Sequence, residues 1–219
     1  MATESVQDYL KAVYVLQSYG QEVTTSRIAA RLGVAAPSVS AMVKKLVADG
    51  LARHAPYREV RLTEEGEAAA LAVVRRHRLV ESYLHDALGL RWDEIHDEAE
   101  ILEHSVSERV VDAMDRALGH PSRDPHGDPI PPKRGRHREV PDEPLAGVPI
   151  GARVRVERVS DQDAAVLRHL ARLRVVPGAE VTVADHDPFG GPLWVRVGSR
   201  RPALGAELVS AIFVSVLDR

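Results

Sequence analysis

No cysteine occurs in this 219-residue chain. Disulfides, thiolate zinc sites and iron–sulfur clusters are therefore excluded, and any bound metal must be held by nitrogen and oxygen. No apolar run approaches the roughly 18 residues that a membrane-spanning helix needs. The stretch 1–19 interleaves apolar and polar residues at helical period instead of forming a signal segment. A cytoplasmic location without membrane attachment is expected. Internal repeats are absent too. What remains is ordinary globular material, 44% hydrophobic and 28% charged, enough for one large domain or two small ones. A net charge of −3 hides an asymmetry: residues 1–62 carry 8 Lys/Arg against 5 Asp/Glu, and residues 63–118 carry 6 against 14. A basic first part and an acidic second part imply different partners.

Apolar residues Val6, Tyr9, Leu10, Val13 and Leu16 form a helical stripe ended by Gly20. Thr24 provides a hydroxyl cap for a short helix with Ile28, Ala29 and Leu32 inward, stopped by Gly33. Pro37 fits the first turn of a third helix whose buried face is Val39, Met42, Val43, Leu46 and Val47. Two short helices joined by a tight glycine turn predict a helix-turn-helix. Short strands at 51–54 and 59–63 flank a basic tip at Arg58 and predict the wing of a winged helix. Ser38, Ser40 and Ala41 open the third helix, where small side chains can approach base edges and thymine methyls. Arg27, Lys44, Lys45 and Arg58, with Arg31 and Arg53, are placed to reach phosphates.

Thr63 restarts the chain with a cap and an acidic first turn, and helical periodicity runs to Gly89 and again from Trp92 to Leu118 as a further long helix or a helix pair. These helices lack a large core of their own, which predicts packing in a homodimer. Residues 119–146 are rich in proline, glycine and charge and predict a linker. From Val148 the pattern turns to period two, predicting a small β-barrel with one short helix over 164–173. The expected fold class is mostly α with β. The domains expected are a DNA-binding winged helix over 1–63, a helical dimerisation domain over 64–140, and a small β-barrel over 147–219.

The chemistry concentrates between residues 77 and 104. At about 100° per residue, His96, Glu100, Glu103 and His104 fall within an arc of roughly 100° on one helix face. His77 and Glu81 repeat the i, i+4 relation on the preceding helix. One such residue alone would be a solvated or ion-paired group. Together the ionised carboxylates repel, and a cation is the simplest compensation. Asp8, beside Tyr9 and Leu10 on the first helix, is a further candidate ligand. No nucleophile, general base with a pocket or phosphate loop accompanies the cluster, so a metal-dependent hydrolase is the weaker reading, and no small organic substrate is expected.

Tyr9-Leu10, the winged helix, the segments 76–81, 96–104 and 124–131, and the C-terminal β-module together resemble the DtxR/MntR family of metal-dependent repressors over nearly the whole chain. The resemblance implies a dimeric repressor of palindromic operator DNA with two metal sites, in which 64–140 is the metal-binding and dimerisation domain and 147–219 an SH3-like (FeoA-like) β-barrel. One would use His77, Glu81 and His96, completed from the C-terminal domain by Asp161 and Asp163; the alternative for these two is an N-cap pair of the helix over 164–173. The other would use Asp8, Glu100, Glu103 and His104. Iron-sensing members carry Met and Cys where this chain has Asp8 and Glu100, whereas manganese-sensing members carry carboxylates, and hard oxygen ligands suit Mn(II). Mn(II) is thus the expected cofactor, with Fe(II) as the alternative. Lys11 replaces a carboxylate of short manganese sensors, which favours two separated sites. His120, His126 and His137 are expected to be solvated linker residues.

Overall fold

The computed structural model describes residues 3–55, 58–133, 142–160 and 163–218. The chain divides into two compact units, Met1–His77 with Pro131–His137, and Arg78–Ile130 with Arg138–Arg219.

In the first unit, α1 (Glu4–Ser18), α2 (Thr25–Leu32) and α3 (Ala36–Ala48) precede a hairpin of β1 (Ala52–Arg53) and β2 (Arg61–Leu62). Thr24 caps α2 by accepting a hydrogen bond from the Arg27 amide, and Gly33 ends the helix in the left-handed conformation. Leu10, Val13, Ile28, Val39, Val43 and Leu46 are fully buried in one core with Val60 of the hairpin. The helical stripes read from the sequence therefore meet as expected for a winged helix, except that Val47, expected on the buried face of α3, is exposed. Ala70 and Val74, from the first half of α4 (Glu64–Asp86), close that core. Thr63 starts α4: its hydroxyl donates to the Gly50 carbonyl at 2.7 Å and accepts from the Gly66 amide at 3.1 Å. Gly66 must be glycine, because a Cβ there would lie 1.8 Å from the Leu51 carbonyl oxygen.

In the second unit, α4 continues to Asp86 and is followed by α5 (Ile95–Leu102) and α6 (Glu108–Ala117). Their cores are small: Val80, Leu84, Ile95 and Ala99 form one, and Leu79, Val111 and Ile130 another. Leu88, Ile101 and Val110 remain exposed. The C-terminal part contains α7 (Ala164–Leu173), α8 (Ala206–Ser210) and an antiparallel six-stranded sheet. Its order is β3 (Glu143–Pro144), β8 (Ile212–Asp218), β4 (Arg153–Val159), β5 (Glu180–His186), β6 (Leu193–Arg196) and β7 (Ala203–Leu204). Alternate residues Val154 and Val156, Val181 and Val183, and Leu193 and Val195 face a core covered by Leu167 and Leu170 of α7. The expected barrel is corrected in one respect. Among the described residues β3 and β7 are edges that do not pair with each other, so the sheet is open.

The expected linker is corrected as well. Residues 123–130 form a packed loop: Asp124, His126, Asp128 and Ile130 are buried, and the Arg123–Pro129 bridge closes it. The Val159 amide donates to the His126 carbonyl at 2.9 Å, tying the loop to β4. Gly127 lies so close to the sheet that a Cβ would stand 1.9 Å from the Glu157 carbonyl oxygen, and its φ of +90° is one that side chains disfavour. The loop's charges are neutralised in pairs. Arg78 reaches Asp124 at 3.5 Å and Asp128 at 3.3 Å, and its Nη1 donates to the Pro129 carbonyl at 2.6 Å. Arg158 reaches Asp128 at 3.2 Å and Asp142 at 3.4 Å. Composition alone read this loop as solvated, because the cations that allow its burial lie far away in sequence.

A second clasp fixes the turn before α5. Burial pushes the Asp93 carboxyl upward, but hydrogen bonds from Arg91 and from Arg168 of α7 outweigh it and hold the group below the ordinary 3.8. A depressed folded pKa means that this stabilisation is present above the unfolded pKa and is lost as pH falls through the folded one. Both arginines are about half exposed, so the effect is screened. Asp93→Asn is expected to cost about 1 kcal/mol or less in urea unfolding at pH 7. The difference from the parent should vanish on acidification below the ordinary aspartate range. A deficit that persists there would show that the charge is not the cause.

Candidate metal centre

The centre is assembled from α4 outward. His77 and Glu81 stand one turn apart on α4, and both are buried, Glu81 completely. A fully buried carboxylate is costly unless it is compensated. The compensation visible in the second unit is imidazole on two sides. His96 Nδ1, at the start of α5, lies 3.2 Å from Glu81 Oε1, and His126 Nδ1 lies 3.8 Å from the same oxygen. His126 Nε2 is 2.7 Å from the Trp92 carbonyl oxygen, which can only accept. Nε2 therefore carries a proton, and Nδ1 is the nitrogen that faces Glu81. A backbone carbonyl fixing the tautomer in this way is the usual preparation of a ligating histidine. Asp124 completes the group: it, Glu81 and His126 each offer one ligand atom within 4.8 Å of the others, and all three are buried.

Asp124 is itself oriented by the loop. Its Oδ1 accepts from the His126 and Asp128 amides, both at 2.9 Å. Burial raises its carboxyl well above the ordinary value, the charges of Asp128 and Glu81 raise it further, and Arg78 and His126 pull against them. The ligand chemistry here is carboxylate and imidazole without sulfur, which fits a hard or borderline divalent cation.

Other candidates sort differently from their sequence spacing. His96 Nε2 faces Glu100 Oε1 at 3.6 Å, so this ring stands between two carboxylates, Glu81 and Glu100. Glu103 is fully buried and pairs with His104 Nε2 at 3.3 Å. The single helix face expected over 96–104 is interrupted: α5 ends at Leu102, Glu103 is its C-cap, and His104 lies in the following turn. In the first unit, Asp8 is partly buried on α1 next to the buried Tyr9 and Leu10, and burial also raises the Tyr9 hydroxyl pKa. Lys11, one turn further on, is buried.

Asp163 is the N-cap of α7. Its Oδ1 accepts from the Ala165 amide at 2.7 Å and the Val166 amide at 3.3 Å. Asp161 and His137 lie outside the described residues. His120 is exposed and pairs with Asp115 at 3.0 Å, as expected for a solvated residue. His126, expected to be solvated too, is completely buried at the centre. Asp124 and His126 are the two residues that sequence reasoning missed. The signal was the Asp-Pro-His-Gly-Asp run over 124–128, which combines two ligand types with a tight turn.

In the winged helix, Arg27, Ser38, Ser40, Ala41, Lys44, Lys45 and Arg58 are all exposed. Ser40 turns its hydroxyl back to the Ala36 carbonyl at 3.2 Å, and Lys45 pairs with Asp49. Ser38, Ala41 and Lys44 complete the exposed start of α3.

Residues 1–60 match the iron dependent repressor N-terminal DNA binding domain, 63–132 the iron dependent repressor metal binding and dimerisation domain, and 143–216 the FeoA domain. The chain belongs to the iron-dependent repressor family. This is the DtxR/MntR family that the sequence resembles, whose members are DNA-binding transcriptional repressors and not enzymes. The chain is 37% identical to the iron-dependent repressor IdeR of Mycobacterium tuberculosis over 96% of each protein. It is 34% identical to the diphtheria toxin repressor of Corynebacterium efficiens over 98% of this chain and 96% of that one. Among solved structures, a manganese-dependent transcriptional repressor in complex with manganese superposes with a TM-score of 0.91 at 41% identity, covering 97% of this chain and 100% of that one. The manganese regulator SloR gives 0.84 at 31%, covering 96% and 98%. Membership accounts for a metal centre and a winged helix in one chain. No helix of the described residues is long and apolar enough to cross a membrane.

Proposed function

We propose that this repressor is a cytoplasmic homodimer that senses Mn(II), binds palindromic operator DNA when metal-loaded, and controls genes of metal-ion homeostasis. The carrying observation is the buried Glu81 carboxylate held between His96 and His126 beside Asp124, a sulfur-free ligand set. In this reading Glu81, His96, Asp124 and His126, with His77 one turn earlier on α4 and Asp161 and Asp163 from the C-terminal domain, hold one ion. Asp8, Glu100, Glu103 and His104 hold the other. A bound divalent ion supplies the positive charge that lets these carboxylates approach one another. Without that charge, Asp8 and Glu103 repel and the winged helices stay mobile. With it, the paired winged helices of the dimer are held about 34 Å apart, one turn of DNA. Arg27, Lys44, Lys45 and Arg58 then contact phosphates, and Ser38, Ser40 and Ala41 face base edges. The exposed Ile101 and Val110 of α5 and α6 are available to the dimer interface.

The manganese-bound structural relative and the carboxylates at Asp8 and Glu100 support Mn(II). A second reading, Fe(II), is favoured by the named iron-dependent relatives. Mn(II) lies lowest in the divalent affinity series, so oxygen ligation and cellular supply must contribute to selection. Anaerobic titrations of each ion, read by fluorescence anisotropy of a palindromic duplex selected from a random-sequence pool, decide between them. Mn(II) is expected to activate binding at concentrations no higher than Fe(II) requires. Asp8→Met combined with Glu100→Cys should move the order toward Fe(II) by about tenfold or more. An unchanged order would remove the selectivity argument.

A further inference from the structure

The C-terminal domain carries a charge pattern that the metal centre and the winged helix leave unused. Although the chain is net negative, residues 164–179 and 188–206 contain six arginines and one histidine and no acidic residue. The fold brings the two segments together. Arg200, in the turn between β6 and β7, donates from Nη1 to the Arg172 carbonyl at the end of α7, at 3.2 Å. Arg172 Nη2 lies 3.1 Å from His169 Nδ1, and Arg174 follows in the left-handed cap of α7. Arg201 sits over the Trp194 ring at 5.5 Å, and Arg196 ends the same strand.

Two members of the group have carboxylates, Arg168 on Asp93 and Arg201 on Asp185. Among the described residues Arg172, Arg174, Arg196 and Arg200 make no ion pair, and all four are exposed. A surface serving only solubility intersperses both signs. Here these four arginines come from two segments that contain no acidic residue, and the planar fork of arginine matches phosphate oxygens in pairs. Such a surface is complementary to a dense row of phosphates.

We propose that this arginine patch is a second DNA-contacting surface, which binds the phosphate backbone of duplex flanking the operator without reading its sequence. The proposal rests on the operator-binding reading above and adds a footprint to it. DNA is the polyanion that the winged helix brings within reach of the same chain, so local concentration favours it over other anions.

The test compares the full-length, Mn(II)-equilibrated protein with the quadruple variant R172Q/R174Q/R196Q/R200Q. Each is titrated on the selected palindrome as a minimal duplex of about 20 bp and on the same palindrome with about 20 bp of arbitrary sequence on each side. Wild type is expected to bind the longer duplex about tenfold more tightly, with a steeper dependence of log K on log salt. The variant should match wild type on the minimal duplex and lose the gain, its slope falling by about 1 for each arginine that meets a phosphate. Equal affinity of wild type for the two duplexes, or a gain that the variant keeps, overturns the proposal while leaving operator binding intact. A gain that the variant keeps, together with lost retention on phosphatidylglycerol vesicles, overturns it in favour of a membrane surface. Wild type that binds neither duplex overturns the operator reading, and this proposal with it.

Discussion

Glu103→Gln is expected to reduce operator affinity in the presence of Mn(II) by about 100-fold, to near the level of chelated protein, equivalent to about 2.7 kcal/mol. Glu103 is completely buried and pairs with His104, so it gives its ligand group a charge that water does not screen. The amide keeps the size of the side chain and removes that charge, which separates ligand loss from a packing defect. Anisotropy on the selected duplex measures the affinity, and circular dichroism of the variant checks the fold. Glu100→Gln is the informative companion. Its side chain is about two-fifths exposed and faces His96 at 3.6 Å, so its loss should cost less. If the Glu103 variant retained full metal activation, the buried carboxylate would be structural and the proposed switch would fail.

Arg78→Met should have the largest effect on folding. The guanidinium is buried and serves Asp124, Asp128 and the Pro129 carbonyl together. Methionine fills much of its volume but leaves two buried carboxylates short of their cation. Breaking a buried ion pair on one side costs about 3–5 kcal/mol. Urea unfolding of the metal-free protein should show a loss of that size, and the loop at 123–130 should gain hydrogen exchange. The cycle with Asp128→Asn should be non-additive, because one guanidinium and one carboxylate are removed from the same network. A loss under 1 kcal/mol would mean that the loop is held by its backbone contacts to β4 alone.

The parts of this fold that sequence made legible are those with local physical causes. Thr24 and Thr63 each offered a hydroxyl to an open amide at the start of a helix, and both do so in the structure. The period-two valines of β4 and β5 announced a half-buried sheet, and they line its core. The helix at 164–173 began at the acidic residue that caps it. What escaped depended on distant partners. Asp124, His126 and Asp128 read as solvated because proline, glycine and charge surround them. Their burial is made tolerable by Arg78 on α4 and Arg158 on β4, which no local pattern connects to them. The end of α5 at Leu102 escaped for another reason. No glycine or proline marks it, so the 3.6-residue period was extended through His104.

Spacing along the chain groups the candidate ligands by helix face alone. Glu81 illustrates why that is insufficient. Two imidazoles that face it come from residues 96 and 126, 15 and 45 positions away, and only tertiary packing sets which carboxylate each of these rings meets. Glu100 likewise faces His96 although it shares an expected face with Glu103.

Operator affinity in Mn(II) against the same titration in chelator tests the central claim most directly, with anisotropy of the selected duplex read at one fixed salt concentration. Binding at least about 100-fold tighter with Mn(II) is the result this account predicts. Equal binding in the two conditions would contradict it, because the carboxylates and histidines of the centre would then have no control over the winged helix.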